Sequence, residues 1–203
     1  MAKKLFITGT GTDIGKTYVT GLILKKLQES GRRAAYYKAA MSGNERDEEG
    51  HLIPGDALHV KTVSGITQPL KTMCPYVYET AVSPHLASRL EGDPVQMDVV
   101  KEGFEKICKA YDYVTVEGSG GIVCPIDFDN SKLQLEDVIG GLDLSSILIA
   151  DAGLGTINGV VLTAEYMRAR DLELKGIIFN NFHPGDVMEE DNIRMCEYYT
   201  ELP

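Results

Sequence analysis

Near the start of the chain a short apolar run, Leu5-Phe6-Ile7, gives way to Gly9-Thr10-Gly11-Thr12-Asp13-Ile14-Gly15-Lys16-Thr17, and an apolar stripe of helical period follows. A buried strand handing over to a glycine-rich loop and a helix admits few architectures. Successive backbone N–H groups in such a loop form a concave anion nest, and the helix N-terminus adds partial positive charge. Gly15 permits close approach of a phosphate, Lys16 reaches the outer phosphates, and the Thr17 hydroxyl can ligate Mg²⁺. The generic pattern is G-x-x-x-x-G-K-[ST]; here Gly9 lies six residues before Gly15, one more than the pattern requires, and Thr10 occupies the expected place.

The rest of the chain alternates in the same way. Lys16 to about Ser30 reads as a helix with Val19, Leu22, Ile23 and Leu27 on its apolar stripe and Gly31 as its cap. Ala34–Lys38, Tyr113–Val116, Ser146–Ala150 and Lys175–Phe179 read as strands. Residues 42–56 read as a surface loop, and Asp56 opens a helix. Ser83-Pro84 begins another, and Met97–Tyr111, Ile157–Arg170 and Glu189–Tyr199 complete the set. Alternating strands and helices indicate α/β architecture: a P-loop NTPase-like three-layer fold, with a mostly parallel central sheet and helices on both faces. We expect one domain over residues 1–203, since neither repeat nor linker interrupts the pattern.

Composition narrows the partners. Twenty Lys and Arg against thirty Asp and Glu give a net charge of −10, which argues against a nucleic-acid or anionic-membrane binder. Neither a signal peptide nor a membrane span of ~20 apolar residues is legible, so a cytoplasmic location is expected. The four cysteines make no C-x-x-C pair and read as buried thiols of a reducing compartment.

In parallel sheets ligands gather at the carboxyl ends of the strands. Glu117, followed by Gly118-Ser119-Gly120-Gly121, ends one strand, where a carboxylate facing a P-loop can reach Mg²⁺. Asp56 fits two compatible readings, a helix N-cap and a metal ligand.

At these positions the chain resembles the dethiobiotin synthetase family of the biotin pathway. The likeness runs from Lys3 to about Asn181. It is carried by Gly9 through Thr17, Tyr37-Lys38 with Ser42-Gly43, Asp56, Ser83-Pro84-His85, Val116 through Gly121, Gly155-Thr156-Ile157-Asn158, and Asn180. Ser119 stands where the family usually has Ala. Family members usually continue past the position of Pro203 with a strand and a loop that help hold adenine, and that segment is expected to be lacking here.

The resemblance implies conversion of 7,8-diaminopelargonic acid, CO₂ (or bicarbonate) and ATP to dethiobiotin, ADP and phosphate. It implies a carbamate and a carbamic–phosphoric anhydride on the way. Asp13, Ile14, Gly15, Lys16, Thr17 and Tyr18 would hold the phosphates, with Asp56, Glu117, Gly118, Ser119 and Gly120 also around the nucleotide. Thr17, Asp56 and Glu117 would ligate Mg²⁺. Lys38 would sit with Lys16 at the reacting centre, where carbamate meets γ-phosphate. Thr12 and Ser42 would touch the carbamate or diamine, and Asn180 and Asn181 would face adenine. Gly155 and Asn158 would receive the substrate carboxylate across a homodimer. Two other classes compete: a small-molecule kinase, and a partitioning or switch ATPase. The latter usually carries a second lysine early in the P-loop, where this chain has Thr10, Gly11 and Thr12.

Overall fold

A computed structural model describes residues 2–203. Five strands form the main sheet: β1 (Lys3–Gly9), β2 (Ala34–Tyr37), β5 (Tyr113–Glu117), β8 (Ser145–Asp151) and β9 (Leu174–Asn180). Their order is β2-β5-β1-β8-β9 and every neighbouring pair is parallel. Two short ladders lie outside it, β3 (Ala40–Met41) with β4 (Tyr76–Val77), and β6 (Pro125–Asp127) with β7 (Leu133–Gln134). The helices are α1 (Lys16–Glu29), α2 (Gly55–Ser64), α3 (Pro84–Glu91), α4 (Met97–Ala110), α5 (Leu135–Leu142), α6 (Thr156–Arg168) and α7 (Val187–Thr200).

Register explains how the layers are built. Phe6, Val116 and Tyr37 are paired neighbours, so they share one sheet face. That face packs on Val100, Phe104 and Ile107 of α4 and on Leu135, Val138, Ile139 and Leu142 of α5. Residues one step along point the other way. Ala34 and Tyr36 meet Leu24 of α1 and Ala57 and Val60 of α2, while Ile7 and Ile149 meet Val19 of α1. Glu117 pairs with Ile7, so it shares the face covered by α1 and α2. This two-residue alternation brings its carboxylate to the first turns of both helices.

Some expectations need correcting. Leu22 does not belong to the buried stripe of α1; it is 39% exposed, and Leu24 is buried instead. The interior face of α1 also includes Gly21, where a Cβ would come within 3.0 Å of the Val63 side chain, so the small residue lets α1 and α2 approach closely. Asp56 does not cap α2. The helix begins one residue earlier, and Asn44 Oδ1, from the preceding loop, accepts from the Gly55 N–H at 2.9 Å. The strand expected to run to Lys38 stops at Tyr37, leaving Lys38 immediately beyond the sheet. Ser83 and Pro84 stand at the start of α3 as anticipated. Helix α5 was not anticipated.

Candidate active site

The loop after β1 is held to the sheet by the Thr10 N–H, which donates to Ile149 O at 3.1 Å. Gly15, at φ 91°, stands in the left-handed region just before α1. A Cβ there would lie 2.2 Å from Asn180 Nδ2, so this glycine is required by conformation and by space. Asn180 donates from that same nitrogen to Ile14 O at 3.0 Å, fastening the end of β9 to the phosphate loop. The Lys16 ammonium donates to Gly11 O at 2.5 Å. Burial, and secondly the nearby Lys38 charge, push its pKa down; Glu117, Asp56 and Asp13 oppose the shift.

Beside this loop lies a compact charged cluster. Lys38 Nζ donates to Asp56 Oδ2 at 2.6 Å and to Glu117 Oε1 at 3.1 Å. Thr17 Oγ1 donates to the same Glu117 oxygen at 2.8 Å, and the Tyr36 hydroxyl donates to the other, Oε2, at 3.1 Å. Burial alone would lower the Lys38 pKa, but the Glu117 and Asp56 charges outweigh it and raise the value well above that of a free lysine. The ammonium therefore stays charged. Burial, reinforced by Glu117, likewise keeps the Tyr36 phenol protonated.

Two adjoining compartments open on this cluster and share Thr12, Asp13, Lys38, Ser42, Asp56 and Gly120 in their walls. One, of about 590 Å³, runs along Gly15, Lys16, Thr17 and Tyr18, with His59 and Glu117 completing it. The other, of about 620 Å³, is walled by Met41, Gly43, the segment Ala81–Pro84, Ser119 and Cys124. Lys38 stands at their junction. Ser42 Oγ donates to Val82 O at 2.5 Å, tying the loop after β3 to the segment before α3.

Other anticipated residues fall outside the cleft. Gly118 does not line it; its N–H donates to Ile7 O, and a Cβ there would meet the Phe6 ring at 2.9 Å. Asn181 donates to Asp151 Oδ2 at 2.7 Å. Gly155 and Asn158, at the start of α6, line a separate groove of about 470 Å³ with Leu154, Leu162 and Tyr199. Within one chain they are not brought to Lys38. Sequence reasoning missed Tyr36, His59 and Cys124, none of which sits in a motif.

Thr17, Asp56 and Glu117 offer only oxygen donors, which suits a hard cation. The Lys38 ammonium already bridges the two carboxylates, so the cluster is built around a positive charge. Among the described residues no three His, Cys, Asp or Glu side chains are grouped to hold a metal ion. A metal here would therefore rely on the Thr17 hydroxyl and on ligand oxygens as well.

Comparison with known proteins adds three findings. A family model described as an AAA domain matches residues 3–203. A protein of Brachyspira hyodysenteriae named ATP-dependent dethiobiotin synthetase BioD is 49% identical over 98% of this chain and 89% of its own length. One of Clostridium perfringens with the same name is 46% identical over 98% of this chain and 87% of its own. Among solved structures, the Aquifex aeolicus MinC:MinD cell division complex matches with TM-score 0.60 at 13% identity, covering 99% of this chain and 78% of that one. The pNOB8 ParA structure also gives 0.60 at 13% identity, covering 97% and 74%. At such identity these two show a shared P-loop NTPase fold and nothing of activity.

Proposed function

The chain belongs to the ATP-dependent dethiobiotin synthetase family, and on that premise we propose how its cleft divides the work. The protein is an ATP-dependent ligase of biotin synthesis. The phosphate-loop compartment takes ATP, and the compartment between Ser42 and Ser119 takes 7,8-diaminopelargonic acid with CO₂ or bicarbonate. The observation that carries this reading is the position of Lys38, a buried ammonium where the two compartments meet.

The chemistry runs in three steps. One amine of the substrate captures CO₂ and loses a proton, giving a carbamate. A carbamate oxygen attacks the γ-phosphorus and displaces ADP, giving a carbamic–phosphoric anhydride. The second amine attacks the carbonyl carbon, loses its proton and expels phosphate, which closes the cyclic urea. Phosphorylation turns a poor leaving oxygen into a good one, so the protein's contribution is position and charge. Asp13 through Tyr18 cradle the phosphates by their backbone, and Lys16 exchanges its loop carbonyl for phosphate oxygen. Lys38 exchanges its carboxylate partners for the carbamate and the γ-phosphate, whose negative charges it offsets. Thr17, Asp56 and Glu117 would hold Mg²⁺, which when bound neutralises phosphate charge. Thr12 and Ser42 orient the diamine, with Ser119 and Gly120 lining the wall beside it.

The remaining assignments concern the rim. The Asn180 amide nitrogen is engaged with Ile14, which leaves its oxygen for the base, with Asn181 beside it. Gly155 and Asn158 are remote from Lys38 in their own chain, which supports a homodimer in which they receive the substrate carboxylate at the partner's site. Leu154 and Leu162, 90% and 61% exposed beside Asn158, supply an apolar surface for that contact. Among the described residues no helix is long and apolar enough to cross a membrane, and we place the enzyme in the cytoplasm. The test is phosphate release with MgATP, bicarbonate and diaminopelargonate, each omitted in turn. Release should need all three and yield a cyclic urea. Release unaffected by omitting the diamine would overturn the substrate assignment.

A further inference from the structure

Tyr36 belongs to no motif, yet it is wholly buried against the charged cluster. Its main chain is fixed by Gln68, which accepts from the Tyr36 N–H at 2.8 Å and donates to its carbonyl at 3.0 Å. Pairing in register puts Tyr36 opposite Thr115, two residues before Glu117, so its ring and the Glu117 side chain share one sheet face. The hydroxyl donates to Glu117 Oε2, while Thr17 and Lys38 donate to Oε1. The two oxygens of one carboxylate thus have separate partners. The terminal torsion of a glutamate is soft, and among the described residues no other side chain donates to Oε2, so without the hydroxyl nothing holds it away from the cation site.

We infer that the Tyr36 hydroxyl is a positioning group that reserves Glu117 Oε2 and presents Oε1 alone to the cation site, tuning it for a small octahedral divalent ion over a larger one. This rests on the reading that Thr17, Asp56 and Glu117 hold Mg²⁺. A carboxylate that ligates through one oxygen suits the short, six-coordinate shell of Mg²⁺. One free to ligate through both suits Ca²⁺, which takes six to eight oxygens at longer distance.

The experiment compares the parent protein, Tyr36→Phe, Glu117→Gln and the double variant. Each is titrated calorimetrically with a non-hydrolysable ATP analogue in EDTA, in excess Mg²⁺ and in excess Ca²⁺. Tyr36→Phe keeps the ring and the Gln68 bonds, and binding in EDTA should be unchanged. Its preference for the Mg²⁺ complex over the Ca²⁺ complex should fall by about tenfold, the low end of what loss of a ligand-orienting partner costs. In the Glu117→Gln background the same substitution should change the preference no further, because the hydroxyl acts through that carboxylate. An unchanged preference in Tyr36→Phe, or an equal drop with and without Glu117, would overturn the inference. If the parent bound the analogue equally well in EDTA and in Mg²⁺, the metal reading beneath it would fall instead.

Discussion

Replacing Lys38 by Met tests the charged cluster without any substrate. The lysine side chain is 8% accessible and its Glu117 partner 1%. Deleting one member of a buried pair strands the other, which typically costs 3–5 kcal/mol. Two features place this site at the low end. Asp56 is 40% accessible and can turn to water. Glu117 keeps its bonds from Thr17 and Tyr36. We therefore expect a loss of about 3 kcal/mol. At about 2–4 °C per kcal/mol for a chain of this size, the melting temperature should fall by about 6–12 °C. The assay is thermal unfolding by circular dichroism in EDTA, so that no divalent ion replaces the ammonium. Adding Glu117→Gln to Lys38→Met removes the stranded charge and should recover most of the loss. A Lys38→Met protein that melts within about 2 °C of the parent, a shift worth less than about 1 kcal/mol, would refute the reasoning.

Three further outcomes follow from other parts of the structure. Gly15→Ala places a Cβ against the Asn180 amide on a backbone at φ 91°, so calorimetry should show ATP affinity reduced by about tenfold or more; unchanged affinity would mean that the loop adapts. His183 has its pKa raised, first by its hydrogen bond to Glu189 and then by that residue's charge. The stability gained by the charged pair is thus fully present below the unfolded-state value near 6.5 and is lost as pH rises through the higher folded value; NMR titration should find that elevation and Glu189→Gln should remove most of it, Asp186 and Asp151 sustaining the remainder. Mixing Asn158→Ala with Lys38→Met protomers should restore part of the activity that each lacks, since one mixed site of a dimer would be intact, and no recovery despite proven subunit exchange would assign Asn158 to its own chain.

The phosphate loop, the five main strands and every α-helix but α5 could be read from the sequence because each has a local cause, whether a run of β-formers, a helical stripe or a cap. Helix α5 escaped because Gly140 and Gly141 weaken its pattern, and its start depends on a reciprocal cap between Gln134 and Asp137. Ladders β3–β4 and β6–β7 involve only two or three residues a strand, too few for alternation to show. Motifs brought Lys16, Thr17, Lys38, Asp56 and Glu117 to attention, and all five meet at one place. Their pairings were not legible, because Lys38 could have been solvated and Asp56 could have capped its helix. Tyr36 was hidden for a different reason. A tyrosine in a strand is ordinarily core, and only the register of β2 against β5 aims its hydroxyl at Glu117.

In the proposed reaction a carbamate oxygen is phosphorylated and leaves with the phosphate. It can be followed directly by supplying ¹⁸O-labelled CO₂ with MgATP and diaminopelargonate, quenching before the label washes out, and analysing the released phosphate by mass spectrometry. Attack of the carbamate on the γ-phosphorus, then ring closure at the carbonyl carbon, predicts one labelled oxygen in each phosphate and one in the cyclic urea. Phosphate free of label, with dethiobiotin still formed, would contradict the account, because ATP would then be cleaved without ever activating the carbamate.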